Sequence, residues 1–297
     1  MRPDGATAEF EAERPRLVRL AYRMLGSFAE AEDIVQNAWL RWREVDRDKV
    51  ETPRAYLSRT VTRLCLDHMK SARMRRETYV GSWLPEPLIE ESGEIDEDDL
   101  TLTVMMALER LSPLERAAFL LHDVFGVPLD EVAATLKRDG PAVRQLAVRA
   151  RRHVQENRPR YPVAPDEGER LAKAFFQATN YGDVATLKNI LAHDVVLRSD
   201  GGGKVWAFLN PIAGIDRLLR LYQGLGRKIR ETGRFIRMTR IDGLPGYISE
   251  ERDGTLQTTA FVIENGLIRE VLVTRNPDKL THVVQLVGAV RPDGPPN

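Results

Sequence analysis

The chain has 297 residues, 44 Lys and Arg against 44 Asp and Glu, and a single cysteine, Cys65. The length suggests two or three domains, each able to bury its own core. One cysteine excludes an internal disulfide framework and suits a reducing cytoplasm. No run of about 18 apolar residues occurs, so no membrane span is expected, and the opening MRPDGATAEFEAERPR lacks the basic start and apolar centre of a secretory signal.

The zero total conceals asymmetry: net charge is +3 over residues 1–80, −8 over 81–100, +3 over 101–160 and +2 beyond. Two basic blocks flanking an acidic connector point to nucleic-acid-binding elements with something between them that covers or repels. The connector, GSWLPEPLIEESGEIDEDDL, opens with a stiff apolar plug around Trp83 and then concentrates acid from Glu86 to Asp99 with no Lys or Arg.

In the first block, Leu17, Leu20, Ala21 and Met24 form one helical stripe. Ala31, Val35, Ala38 and Trp42 form a second, and Leu57, Val61 and Leu64 a third, behind a Pro53 suited to a first helical turn. Cys65 lies within that pattern and reads as a buried small hydrophobe. After the connector, Leu114, Ala118, Leu121 and Phe125 predict a helix, Gly126-Val127-Pro128 a break, and Leu129, Val132, Ala133 and Leu136 a short second helix. A tight turn then leads to Val143, Ala147, Ala150 and Val154, with Asp139 as N-cap and Pro141 in the first turn. Opposite that stripe lie Arg144, Gln145, Arg149, Arg151 and Arg152, the pattern of a helix-turn-helix whose second helix enters the major groove.

Asn157 to Gly168 has three prolines and no apolar period, and reads as a second linker. Beyond it the pattern becomes α+β: helices around Phe175, Leu187 and Leu218, then strands FIRMTRI, GYISE, LQTTAFVI and LIREVLVT, separated by the turn signals Asp242-Gly243, Asp253-Gly254 and Asn265-Gly266. Three helices on a curved antiparallel sheet is the expected assembly. The expected divisions are 8–78, 79–100, 101–157, 158–167, 168–285 and a tail 286–297.

AEAEDIVQNAWLRWRE followed by PRAYLSRTVTRLCLDHMKSARMRR resembles region 2 of the extracytoplasmic-function (ECF) sigma factors, and LSPLERAAFLLHDVFGVPLDEVAATLKRDGPAVRQLAVRARRHV resembles their region 4. The resemblance implies that Asp33, Gln36, Asn37 and the nearby Trp39 grip the clamp helices of core RNA polymerase. It assigns Tyr56, Arg59, Thr62, Arg63, Asp67, Ser71, Arg73, Arg75 and Arg76 to minus-ten recognition and promoter opening. Arg144, Gln145, Val148 and Arg149, with Arg152 on phosphate, would read the minus-thirty-five element, where Arg suits guanine, Gln adenine and Val a thymine methyl.

Three short stretches resemble the signature of the SigJ-like group, which carries a fused C-terminal SnoaL-like domain of the NTF2-like superfamily. They are Trp83-Leu84-Pro85-Glu86-Pro87, Asp200-Gly201-Gly202-Gly203-Lys204 and Asn276-Pro277-Asp278-Lys279-Leu280. The implied fold is multidomain: two all-α sigma domains plus an α+β cone. The implied function is promoter-directed transcription initiation, monomeric when free, with the appended domain regulating the sigma function in the same chain. The connector's apolar half would clip onto that domain and its acids would mimic nucleic-acid charge. Asn276-Pro277 would form a turn presenting Asp278 and Lys279. Two alternatives stand beside this one: the cone as a small-molecule sensor, or as a cyclase-like enzyme using His193, Asp194 and Asp200 as acid and base. No metal or cofactor motif occurs; the Gly run lacks Walker spacing.

Overall fold

The computed structural model describes residues 5–77, 79–90, 101–156, 163–228, 233–251 and 253–289. The connector acids from Glu91 to Asp99, most of the second linker and the tail beyond 289 lie outside the described residues, as do the side chains of Ser71, Arg73, Arg75 and Arg76. The chain divides into two compact units: residues 1–78 with 104–158, and 79–103 with 159–297. Among the described residues no helix is long and apolar enough to cross a membrane.

The first unit is helical. Helices α1 (Gly5–Leu25), α2 (Phe28–Glu44) and α3 (Pro53–Glu77) pack together. Leu57, Val61, Cys65 and Met69, each four residues apart, put one buried stripe of α3 into that bundle. Burial pushes the Cys65 thiol up, and the nearby Glu30 carboxylate adds to it, so Cys65 is a packing residue. Trp42 is fully buried and its indole N–H donates to Ala6 O at 3.1 Å, so its one polar atom is satisfied.

Then come α4 (Leu102–Glu109), α5 (Pro113–Phe119) with a π-helical continuation Leu120–Val124, α6 (Leu129–Leu136) and α7 (Gly140–Glu156). Ser112 and Glu115 form a capping box at α5. Ala142 N–H donates to Asp139 Oδ1 at 2.7 Å, the cap expected for α7. Lys137 takes a left-handed φ of 53° to end α6, which makes the turn tight.

In the second unit, α8 (Pro165–Tyr181), α9 (Val184–Ile190) and α10 (Ile215–Lys228) accompany six strands: β1 (Leu191–Asp200), β2 (Ile212–Ala213), β3 (Arg234–Ile241), β4 (Leu244–Glu250), β5 (Leu256–Glu264) and β6 (Leu267–Thr274). Their order is β2-β1-β6-β5-β4-β3. The sheet is not wholly antiparallel as expected, because β1 pairs parallel with β6, Ser199 opposite Val273 and Asp200 opposite Thr274. That pairing sets the carboxyl ends of β1 and β6 side by side.

Tyr247 packs among Phe175, Phe261 and Val271, whereas its neighbour Ile248 packs with Leu280 and Val283. Successive residues of a strand face opposite sides, so β4 is covered on both. The second cover includes α11 (Thr281–Ala289), a helix the periodicity reading does not contain. The described residues thus form helical regions followed by an α+β region built on one six-stranded sheet.

Candidate functional site

The three short motifs meet at one carboxylate. Asp200, the last residue of β1, is fully buried. Its Oδ2 accepts from Leu84 N–H at 2.9 Å and from Lys279 Nζ at 2.7 Å. Its Oδ1 accepts from Gly202 N–H at 3.0 Å and from the Tyr79 hydroxyl at 2.5 Å. The Asp200 carbonyl accepts from Arg275 N–H at 2.8 Å and Asn276 N–H at 2.9 Å. A buried carboxylate is tolerated only when paired and hydrogen-bonded, and here four donors from three stretches of chain do so: the connector, the loop after β1 and the Pro277–Lys279 turn.

Lys279 completes the junction. Its ammonium also donates to Leu84 O and lies 4.1 Å from the Trp83 ring centroid and 5.2 Å from that of Tyr79. Asn276 Nδ2 donates to the Tyr79 hydroxyl at 3.0 Å. Burial first, then the hydrogen bond to Asp200, pushes the Tyr79 phenol far above its ordinary range, so it remains a donor. The expected presentation of Lys279 by the Asn276-Pro277 turn is corrected. Asn276 caps a 3₁₀ turn, Pro277–Lys279, that points Lys279 inward at 8% exposure. Asp278 does face outward, where it pairs with Lys204 at 2.7 Å. Gly202 and Gly203 have φ of 63° and 70°; a Cβ on Gly202 would lie 2.4 Å from Asn276 Nδ2.

Leu84, Pro85, Glu86 and Pro87 are all buried. His282 faces two acceptors, Pro87 O at 2.6 Å and Glu86 Oε1 at 3.3 Å. Leu88 N–H donates to Asp242 Oδ2 at 3.0 Å, Asp242 N–H to Leu88 O at 2.9 Å, and Ile89 bridges Ile241 antiparallel. The connector thus extends the sheet at β3, whose edge would otherwise show unpaired backbone. Leu102 N–H then donates to Asp242 O at 2.9 Å, anchoring the connector's far end. Tyr79 and His282 escaped the sequence reading, and Asp242 entered it only as a turn residue, since only their long-range partners distinguish them.

The helical unit places its residues with less convergence. Asp33, Gln36 and Asn37 are exposed on one face of α2, and Leu40, 49% exposed, continues that face at i+3 and i+4 spacing. Trp39 leans away onto Phe10, ring centroids 5.0 Å apart. Thr62 cannot meet DNA: it is fully buried and its hydroxyl donates to Ser58 O at 2.8 Å. Tyr56 packs on Trp42 at 5.5 Å, Asp67 pairs with Lys70 at 2.8 Å, and Arg59 is half-buried. Arg63 donates to Thr135 O and Ala134 O, both at 3.3 Å, at the carbonyl end of α6. Arg116 is 1% exposed and donates to Met24 O and Glu109, both at 2.6 Å.

On α7, Arg144, Gln145, Val148, Arg149 and Arg152 are exposed together. Arg149 pairs with Glu115 at 2.8 Å, and Arg151 is tied to Asp123.

The α+β unit forms a partly open cavity of about 280 Å³ walled by Phe175, Phe176, Tyr222 and Tyr247, with Glu251, Asp253 and Arg275 at its polar side. Against the upward pull of burial, hydrogen bonds from Thr255 and Arg275 hold the Asp253 carboxyl below its ordinary range. The acid and base candidates do not meet there. His193 and Asp194 are exposed, Asp194 pairs with Arg269, and Asp200 is committed to the junction.

Residues 10–75 match the Sigma-70 region 2 family model and residues 101–154 the Sigma-70, region 4 model. The ECF RNA polymerase sigma factor SigJ of Mycobacterium tuberculosis is 36% identical over 296 residues, covering 92% of this chain and 93% of that protein. Probable ECF RNA polymerase sigma factor SigI of the same species is 36% identical over 195 residues, 63% of this chain and 67% of that one. The crystal structure of Mycobacterium tuberculosis SigJ aligns with a TM-score of 0.73 at 34% identity, covering 93% of this chain and 98% of that one.

Proposed function

This chain belongs to the ECF RNA polymerase sigma factors, whose sigma domains bind core polymerase and promoter DNA, and we propose that its C-terminal domain governs initiation by holding the connector between regions 2 and 4. The observation that carries this is the Asp200 junction, where Leu84, Tyr79 and Lys279 meet on one carboxylate. A connector anchored at 79–90 and again at Leu102 leaves fewer free residues to span the distance between regions 2 and 4 when they engage two promoter elements at once. Release of the clip is the activating step.

Asp33, Gln36, Asn37 and Leu40 form the polymerase-gripping face, with Trp39 supporting it from the side. Arg59, Arg63, Arg73, Arg75 and Arg76 track the minus-ten region, and Arg144, Gln145, Val148, Arg149 and Arg152 read or flank the minus-thirty-five element. We divide the chain functionally as region 2 (8–78), connector (79–100), region 4 (101–157), linker (158–167), cone (168–285) and tail (286–297). The cone works by contact and not by turnover, a reading supported by the pairing of Asp194 with Arg269 and of Asp200 with Lys279. The partly open, aromatic-walled cavity favours a second reading beside this one, in which a small molecule biases the clip.

Run-off transcription with core polymerase tests the proposal. Tyr79→Phe and Lys279→Met should raise transcript yield several-fold over the parent chain. Failure to associate with core in a pull-down would remove the sigma assignment; unchanged yield from both variants would remove the clip.

A further inference from the structure

Two arginines of α7 are held by carboxylates, and they are held differently. Arg151 gives Asp123 both its Nε, at 2.8 Å, and its Nη2, so one whole edge of the guanidinium is spent. Arg149 gives Glu115 Oε1 its Nε alone, at 2.8 Å, and its side chain is 53% exposed. Neither terminal nitrogen of Arg149 has a hydrogen bond to a described residue. Glu115 is itself fixed: its Oε2 accepts from Ser112 N–H at 3.1 Å and from the Ser112 hydroxyl at 2.7 Å, inside the capping box that opens α5. One carboxylate thus serves two helices, Oε2 closing the start of α5 and Oε1 holding Arg149 on α7. Against the upward pull of burial, hydrogen bonds from Ser112 and Arg149 hold the Glu115 carboxyl below its ordinary range, so it stays charged at neutral pH.

An arginine tied by Nε alone keeps Nη1 and Nη2 as a rigid two-donor fork. That fork matches the N7 and O6 acceptors of one guanine. An untethered arginine beside DNA also swings to phosphate, which attracts every cation and carries no sequence information. An arginine tethered to a carboxylate has less freedom to do so and brings no net charge with it. We infer that Glu115 is a positioning residue for promoter recognition: it directs Arg149 onto one guanine of the minus-thirty-five element and withholds it from phosphate. This rests on the reading of α7 as the helix that enters the major groove, and it adds to the specificity set a residue that lies outside α7.

The test uses holoenzyme assembled from core polymerase and the full chain, binding promoter fragments in which each minus-thirty-five position is varied in turn, over a range of salt. Glu115→Gln is the informative variant. Gln also closes a capping box, but the atom it leaves toward Arg149 is an amide N–H2, which cannot accept. Arg149→Ala should reduce discrimination at one position by ~10-fold. Glu115→Gln should reduce discrimination at that same position by at least ~3-fold and leave the other positions unchanged. It should also steepen the salt slope of binding by about one ion, as the released guanidinium takes a phosphate. In the Arg149→Ala background, Glu115→Gln should add no further loss at that position. A merely structural role predicts a lower melting temperature and equal weakening at every position with no gain in salt slope, and that outcome overturns positioning. A Glu115→Gln chain with the parent's discrimination and slope, while Arg149→Ala has lost its position, overturns it too. If Arg149→Ala itself leaves every position unchanged, the assignment of Arg149 to a base fails, and the positioning role of Glu115 with it.

Discussion

Lys279 and Asp200 form a buried ion pair, Nζ to Oδ2 2.7 Å, across which the connector backbone is laid: Leu84 N–H donates to the same carboxylate oxygen and Leu84 O accepts from the same ammonium. The pair binds the clip by presenting one charge of each sign to the backbone donor and acceptor of one residue, Leu84. Removing either partner leaves a buried charge uncompensated, which is worse than never having had the pair.

Lys279→Met is therefore expected to destabilise the C-terminal unit by about 3–5 kcal/mol, because Asp200 loses its counter-charge at 0% side-chain exposure. Urea unfolding read by hydrogen exchange in β1 and β6 measures it. Chymotrypsin should also begin to cut at Tyr79 and Trp83, which the parent protects. A loss below about 1 kcal/mol would mean the pair is hydrated and weak.

Glycine is required at Gly202, in the loop after Asp200, for two reasons that Gly254, in the β4–β5 turn, helps to separate. At Gly202 the φ of 63° and a neighbour 2.4 Å from any Cβ act together; at Gly254 the φ of 76° acts with nothing within 4 Å. Gly254→Ala should then cost about 1 kcal/mol, the left-handed backbone penalty alone. Gly202→Ala should cost clearly more and should displace Asn276, seen as faster exchange of the Asn276 amide. Equal costs at the two sites would show that Asn276 yields freely.

These positions separate what the sequence makes legible from what it hides. Asp242-Gly243 and Asn265-Gly266 were readable as hairpin turns because a primed turn needs two positive φ angles, and both pairs have them, 44° with 72° and 53° with 73°. The motifs around Trp83, Asp200 and Asn276 were readable as sites by resemblance, but not the inward turn of Lys279, since a Lys after Pro-Asp looks like any solvated turn. Likewise ValValLeu reads as a strand from local pattern. Its parallel pairing with β6 is a long-range fact that no local period encodes, and the same holds for Tyr79, which acquires its role only from Asp200 and Asn276.

Within the helical unit, Arg116 joins the region 4 helix α5 to the last turn of α1 through Met24 O. Replacing it with Met removes a charged donor from a site at 1% exposure and takes away the Arg116 hydrogen bonds to Met24 O and Glu109. Arg116→Met should lower the stability of this unit by about 2–4 kcal/mol and loosen the Arg63 hydrogen bonds to Thr135 O and Ala134 O. Thermal unfolding monitored by far-ultraviolet dichroism checks the first part. An unchanged melting temperature would show that regions 2 and 4 are held by apolar packing alone.

The α7 surface predicts a division of labour that promoter binding can read. Arg144 and Gln145 are exposed near the helix start, where side chains reach base edges, so replacing either by Ala should cost about 1–3 kcal/mol against one base pair and little against the others. Arg152, two turns later, suits phosphate; Arg152→Ala should weaken all sequences alike and reduce the salt slope of binding by about one ion. Arg151 is the internal control, because Asp123 already neutralises it. Arg151→Ala should leave both the base preference and the salt slope of the polymerase holoenzyme unchanged. If it reduces the slope as much as Arg152→Ala does, the Asp123 pair opens on DNA and the division between α7's structural and phosphate-facing arginines fails.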